Sequence, residues 1–131
     1  MHLLSIAACA APLAGMLVLL PAPSAEVAPA GDAGAGEAVF RRDCSACHAI
    51  DAADRRRSGP PLGGILDRPA GRSPGYGYSA ALATSDIVWD APSLSAFLAD
   101  PSGFLPGNRM AFPGLPADPR RSDVIAYLGR R

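Results

Sequence analysis

The chain has 131 residues, twelve basic against twelve acidic, and a formal charge of +0. That length holds one domain rather than two, and neutrality argues against a nucleic-acid surface, which needs a basic stripe. All twelve basic residues are arginine, and lysine is absent. The densest basic run, Arg55-Arg56-Arg57, stands beside Asp51 and Asp54 and reads as a solvated loop.

Residues 3–20, LLSIAACAAPLAGMLVLL, carry no charge, and the following PAPSAEVAPAGDAGAG is small and proline-rich. An apolar run followed by small residues predicts a secretory signal peptide and linker over residues 1–30, with cleavage after Ala25 or Ala30 and a domain over 31–131. The competing reading is an uncleaved anchor, whose eighteen residues would reach about 27 Å, barely a bilayer core. Pro12 and Gly15 within the run favour the cleaved peptide. Either reading exports the chain to the periplasm, an oxidising compartment. Cys9 reads as an incidental apolar residue of this leader.

Four helices are expected downstream, and no strand alternation is present. The first spans about 34–47, with Ala38, Val39, Phe40 and Cys44 as its apolar stripe. A short one starts near Ser79. The third is capped by Asp90, has Pro92 in its first turn and LSAFLA as its body, and is stopped by Pro101. Asp118 is expected to cap the last, with Pro119 at its first position and Val124, Ile125, Tyr127 and Leu128 on its buried face. The rest is Gly- and Pro-rich loop, too much for a domain of this size without a large ligand at its centre.

The first helix ends on the pentapeptide CSACH, residues 44–48. A redox dithiol would place C-x-x-C beside a strand in a βαβ pattern, and the flanks offer none. A zinc site needs four ligands, and Cys44, Cys47 and His48 are only three, crowded into five residues. C-x-x-C-H also reads as a c-type haem attachment, with two thiols for two haem vinyl groups and an imidazole for the iron. That reading requires a distal ligand downstream. Beyond the leader there is no second histidine and one methionine, Met110, in the loop LPGNRMAFPG. Met110 lies on no helical stripe, and a loop of this composition can wrap one face of a flat cofactor.

From Gly34 to Leu128 the chain resembles the class I cytochromes c, in their mitochondrial and bacterial cytochrome c2 branch. After CSACH come SGPPLGGIL, RPAGRSPGYGYS, IVW, LSAFLADPSGFLPGNRMAFPG and RSDVIAYL, in the order and at the intervals of that family. The resemblance implies an all-α fold of about four helices and long loops around one covalent haem c. It implies thioethers at Cys44 and Cys47, His48 and Met110 as iron ligands, and a Pro60 carbonyl that fixes the His48 ring. It implies that Tyr78 and Trp89 bind a haem propionate and that Arg68 offsets its charge. Gly36 is expected where the first and last helices cross, with Phe40 meeting Val124 and Tyr127. Three positions depart from the family pattern: Leu82 for an Asn, Phe97 for a Tyr that donates to the methionine sulfur, and Asn108 for a Thr.

The function this implies is an exported one-electron carrier, not an enzyme, because both axial positions are filled. The alternative is a haem c subunit or small peroxidase-like enzyme of a periplasmic oxidoreductase system, which needs an open iron site beside an acid or base. A monomer is expected. Its partners would be a redox donor and acceptor, with no nucleic acid and no stable membrane insertion once the leader is cleaved. The lysine ring by which mitochondrial-type carriers steer toward acidic partners is absent. Arg109, Arg120 and Arg121 are expected to leave a local positive area.

Overall fold

The structure, a computed structural model, describes residues 31–116 and 118–131. The expected signal peptide lies outside the described residues. The described residues form five α-helical segments and no strand: α1 (Ala33–Val39), α2 (Ala80–Ala83), α3 (Ala91–Ala99), α4 (Pro101–Phe104) and α5 (Arg120–Leu128). The all-α expectation holds, with one helical turn more than the sequence reading foresaw.

Asp32 starts α1, its carboxylate accepting the Gly34 and Ala35 N–H groups at 2.7 and 3.2 Å. The helix does not run unbroken to Cys47. After Val39 it widens into a π-helical turn, Phe40–Cys44, in which the Ser45 N–H bonds Phe40 O at 2.9 Å. The Ser45 hydroxyl donates to Arg41 O at 2.6 Å, the carbonyl that its own N–H would meet in an α-helix, a bond of the kind that bends helices.

Asp90 caps α3 as expected, in a reciprocal capping box with Ser93 (2.7 and 3.0 Å). Pro101 ends α3 and also begins α4, because a proline without an N–H suits a first helical position. Asp100 caps this extra turn by accepting the Gly103 N–H at 3.0 Å. Asp118 does not cap α5. Pro119 occupies that position in right-handed conformation, with no side-chain capping bond. The carboxylate of the first turn is Asp123, and it accepts the Asp32 N–H at 2.8 Å, tying the start of α1 to α5.

Helices α1 and α5 cross at Gly36. A Cβ there would overlap the Asp123 carbonyl oxygen and stand 2.9 Å from Tyr127 Cβ, so the absence of a side chain lets the two backbones touch. Phe40 packs on Tyr127 with ring centroids 5.5 Å apart, and Val124 is 1% exposed. The long loops are held by few but specific bonds. Ala70 N–H to Ile87 O (2.8 Å) and Trp89 N–H to Arg68 O (3.0 Å) flank the single antiparallel bridge Pro69–Val88. This bridge brings Arg68 and Trp89 together. Trp89 then packs on Phe97 at 5.1 Å, and Phe97 on Phe104 at 6.0 Å.

Candidate functional site

The widened turn delivers Cys44 into a half-buried position and leaves Cys47 exposed. His48 follows, its N–H bonded to Cys44 O at 2.9 Å. Its Nδ1 lies 2.8 Å from the Pro60 carbonyl oxygen. A carbonyl only accepts, so Nδ1 carries the proton, and Nε2 is left with its lone pair free to bind a metal. Burial pushes the His48 pKa down, with the Pro60 bond acting the other way, and the ring is kept neutral. Gly59 makes this pairing possible: a Cβ there would come within 2.7 Å of His48 Nδ1 and 2.9 Å of Cys47 O. The Cys44 thiol is pushed up to about 11, first by burial and then by the Asp43 charge.

His48 opens onto a cavity of about 340 Å³, within the range of cofactor sites. Both cysteines, Pro60, Arg68, Tyr78, Trp89 and Met110 also line it. All eight residues singled out in the sequence thus converge on one cavity, from segments up to sixty-six positions apart. Most of its wall is apolar: Leu62, Ile65, Leu82, Leu94, Phe97, Leu98 and Val124 contribute.

Arg68 donates to Gly63 O and Pro61 O, both at 3.3 Å. Among the described residues no carboxylate pairs with it, and neither the Tyr78 hydroxyl nor the Trp89 indole N–H has a protein acceptor. A cation and two neutral donors beside an apolar cavity fit a ligand with an apolar body and carboxylate arms. Two thiols, one free imidazole nitrogen and one thioether complete a donor set suited to haem iron. No group of three or more His, Cys, Asp and Glu side chains arranged to hold a metal ion is present among the described residues.

One wall residue, Tyr76, escaped the sequence reading, while Ser79 was read only as a helix start and Asn108, next to the wall, only as a departure. Tyr76 donates to Ser58 O at 3.0 Å and meets Tyr78 edge-on at 4.7 Å. The Y-G-Y spacing was its only signal. Ser79 is buried and accepts the Leu82 N–H at 3.3 Å, capping α2 beside the cavity. Asn108, seen only as a departure from a Thr, binds the backbone of the Met110 loop.

Of the three arginines expected to form a positive area, Arg120 alone is ion-paired, while Arg121 and Arg109 donate to neutral carbonyls and keep their charge. Arg120 is paired with Asp43 at 2.6 Å. The Arg121 Nη1 group is turned inward to Leu115 O and Pro116 O at 2.6 and 2.7 Å. Arg109 donates to Gly77 O. Of the Arg55–Arg57 run, Arg56 and Arg57 share Asp54 at the surface, as a solvated loop should. Arg55 instead reaches Pro74 O at 2.6 Å and joins two loops.

An all-α chain folded around a cavity with two cysteines, one free imidazole nitrogen and one thioether defines a haem c-binding domain of the class I type. No family model matches the chain. It is 47% identical over 100 residues to the cytochrome c of Tetrahymena pyriformis, covering 76% of this chain and 89% of that one. It is 43% identical over 101 residues to the cytochrome c of Guizotia abyssinica, covering 77% and 91%. Among solved structures, cytochrome cH from Methylobacterium extorquens matches with a TM-score of 0.71 and 40% identity, over 77% of this chain and all of that one. The chain belongs to the cytochrome c family. It is a haem c electron carrier.

Proposed function

We propose that Cys44 and Cys47 would hold a haem by thioethers, and that His48 Nε2 and the Met110 sulfur would be the side-chain atoms that hold its iron. The observation that carries this reading is the Nδ1-protonated His48 held against Pro60 O at 2.8 Å, in the cavity that Met110 also lines. When bound, haem c supplies a one-electron Fe(II)/Fe(III) couple. The chain's residues set how that couple behaves. A neutral imidazole and a soft thioether both suit ferrous iron and raise the potential. The apolar walls penalise the extra charge of the ferric state. Arg68, Tyr78 and Trp89 receive the propionates and offset their charge. With both axial positions filled, substrate has no place on the iron, so the protein transfers electrons and performs no catalysis.

Electrons pass through the edge bordered by Ala46, Cys47 and the Arg109–Phe112 stretch, where Ala46, Cys47, Arg109 and Ala111 are exposed. The carrier is exported to the periplasm by residues 1–30, cleaved near 25 or 30, and works as a monomer between a redox donor and an acceptor. Among the described residues no helix is long and apolar enough to cross a membrane. The even balance of twelve basic and twelve acidic residues supports slower encounters with partners that depend weakly on salt.

Carbon monoxide binding to the ferrous protein tests the axial set. The parent should bind it poorly, while Met110→Ala should keep its haem, bind carbon monoxide readily and have a lower potential. A Met110→Ala variant that retains the parent potential and still rejects carbon monoxide would remove Met110 from the iron. His48→Ala should differ in kind and impair haem attachment and folding.

A further inference from the structure

A thioether presented from a loop needs its backbone held. Met110 lies two residues beyond the turn that follows α4, and one side chain joins that helix to it. Asn108 Oδ1 accepts the Met110 N–H at 2.9 Å. Asn108 Nδ2 donates to Pro101 O and to Leu105 O, both at 2.8 Å. These carbonyls belong to the first residue of α4 and to its C-cap. Both amide protons and the amide oxygen are therefore used. The pattern also fixes the amide's orientation, since a flipped group would turn NH₂ toward an N–H and oxygen toward two carbonyls.

The backbone cooperates. The Asn108 N–H returns to Leu105 O at 3.2 Å, with Gly107 at φ 85° in a turn that needs a left-handed third residue. Few side chains can do the same. Aspartate has no N–H donors, serine and threonine have one hydroxyl, and glutamine is longer by a methylene. A simple helix cap would need only the two bonds to α4. The third bond goes to the amide of the residue whose sulfur enters the cavity.

We propose that Asn108 is a positioning residue for Met110. It clamps the loop to α4 and so limits how often the sulfur leaves the iron. This rests on Met110 being the axial ligand. The clamp works on a closed state, Met110 on iron, and an open state, Met110 off. An external ligand binds only the open state, so its apparent affinity rises in proportion to the open population.

The test is imidazole binding to the ferric holo-protein in the parent, Asn108→Ala, Asn108→Asp and Met110→Ala. Both Asn108 variants should keep covalent haem, bind imidazole at least about fivefold more tightly than the parent, and show a lower potential. Asn108→Asp keeps the Oδ1 acceptor, loses the Nδ2 donors and adds a negative charge, so only a gain shared with the uncharged Asn108→Ala reports the lost bonds to α4. Affinities raised less than about fivefold, with thermal stability alone reduced, would make Asn108 a loop brace and overturn the proposal. If Met110→Ala also binds imidazole no better than the parent, the ligand assignment fails and the clamp with it. A Met110→Ala gain without an Asn108 gain sinks the clamp alone. Hydrogen exchange of the parent needs no variant: the Met110 amide should be protected, and exchange at the rate of a free loop amide would overturn the proposal.

Discussion

Replacing Gly36 by alanine forces a choice between α1 and α5. The new Cβ would overlap the Asp123 carbonyl oxygen and lie 2.9 Å from Tyr127 Cβ. Both atoms sit on or next to the backbone, so no rotamer change relieves the contact and the helices must separate. Overpacking of this kind costs about 1–3 kcal/mol, and a backbone overlap belongs at the upper end. The alanine returns about 1 kcal/mol of helix propensity, leaving a net loss of roughly 2 kcal/mol. For a domain of this size that lowers Tm by about 8–16 °C. The control is Gly34→Ala in the same helix. Its Cβ meets only Asp32 Oδ1, at 3.1 Å, so the capping carboxylate must shift by a few tenths of an ångström while the α1 and α5 backbones stay in place. There the propensity gain dominates, and Tm should stay level or rise. Thermal unfolding of both ferric holo-proteins by circular dichroism is the assay. Equal Tm shifts in the two variants would refute the helix-crossing argument.

Hydrogen bonding from Arg42, with a further bond from Arg120, holds the Asp43 carboxyl below the usual carboxylate range. Since the folded pKa is the lower one, the Asp43 contribution is complete above the unfolded value near 4 and fades as pH falls through the folded value. Asp43→Asn should therefore be less stable than the parent at pH 6, with the gap closing toward pH ~2; a gap independent of pH would contradict this. Phe97, buried between Trp89 and Phe104, cannot donate to the Met110 sulfur. Phe97→Tyr should raise the reduction potential, and voltammetry showing no rise would remove that account. A lysine near the ligand loop would lose its proton at alkaline pH and could then compete with Met110 for the iron as a neutral amine. Here Arg109 stands in that place, and a guanidinium has no lone pair to offer the iron. Ferric Met110 ligation should persist to unusually high pH and then yield a hydroxide-type species. Paramagnetic resonance should find a nitrogen-ligated alkaline form in Arg109→Lys, and finding it in the parent at moderate pH would count against this reasoning.

The iron-side chemistry was legible because it is local. Cys44, Cys47 and His48 lie within five residues, and Met110 is the one methionine beyond residue 30. The family resemblance then located Pro60, and the His48–Pro60 bond is present at 2.8 Å. Capping by Asp90 was also readable, since the box closes within three residues. What stayed hidden depends on competition or distance. The π-helical turn, with the Ser45 hydroxyl bonded to Arg41 O inside it, has no signature in composition or apolar spacing. Pro101 was read as a stop, yet the same missing N–H that ends one helix suits the start of the next. Arg120 was counted as free charge because its partner, Asp43, lies 77 positions away. Asn108 was read as a lost hydroxyl, since its acceptors are backbone carbonyls of a helical turn the sequence did not announce.

The central claim is that Cys44 and Cys47 fix a haem to this chain through covalent bonds. Haem-peroxidase staining after denaturing electrophoresis, with intact mass measured on the same sample, tests it without any partner or assay of activity. The account predicts that the stain and the added mass stay with the parent chain, and that both are lost when Cys44 and Cys47 are replaced together by alanine. Haem that leaves the denatured parent chain, or that stays on the doubly substituted one, would contradict it.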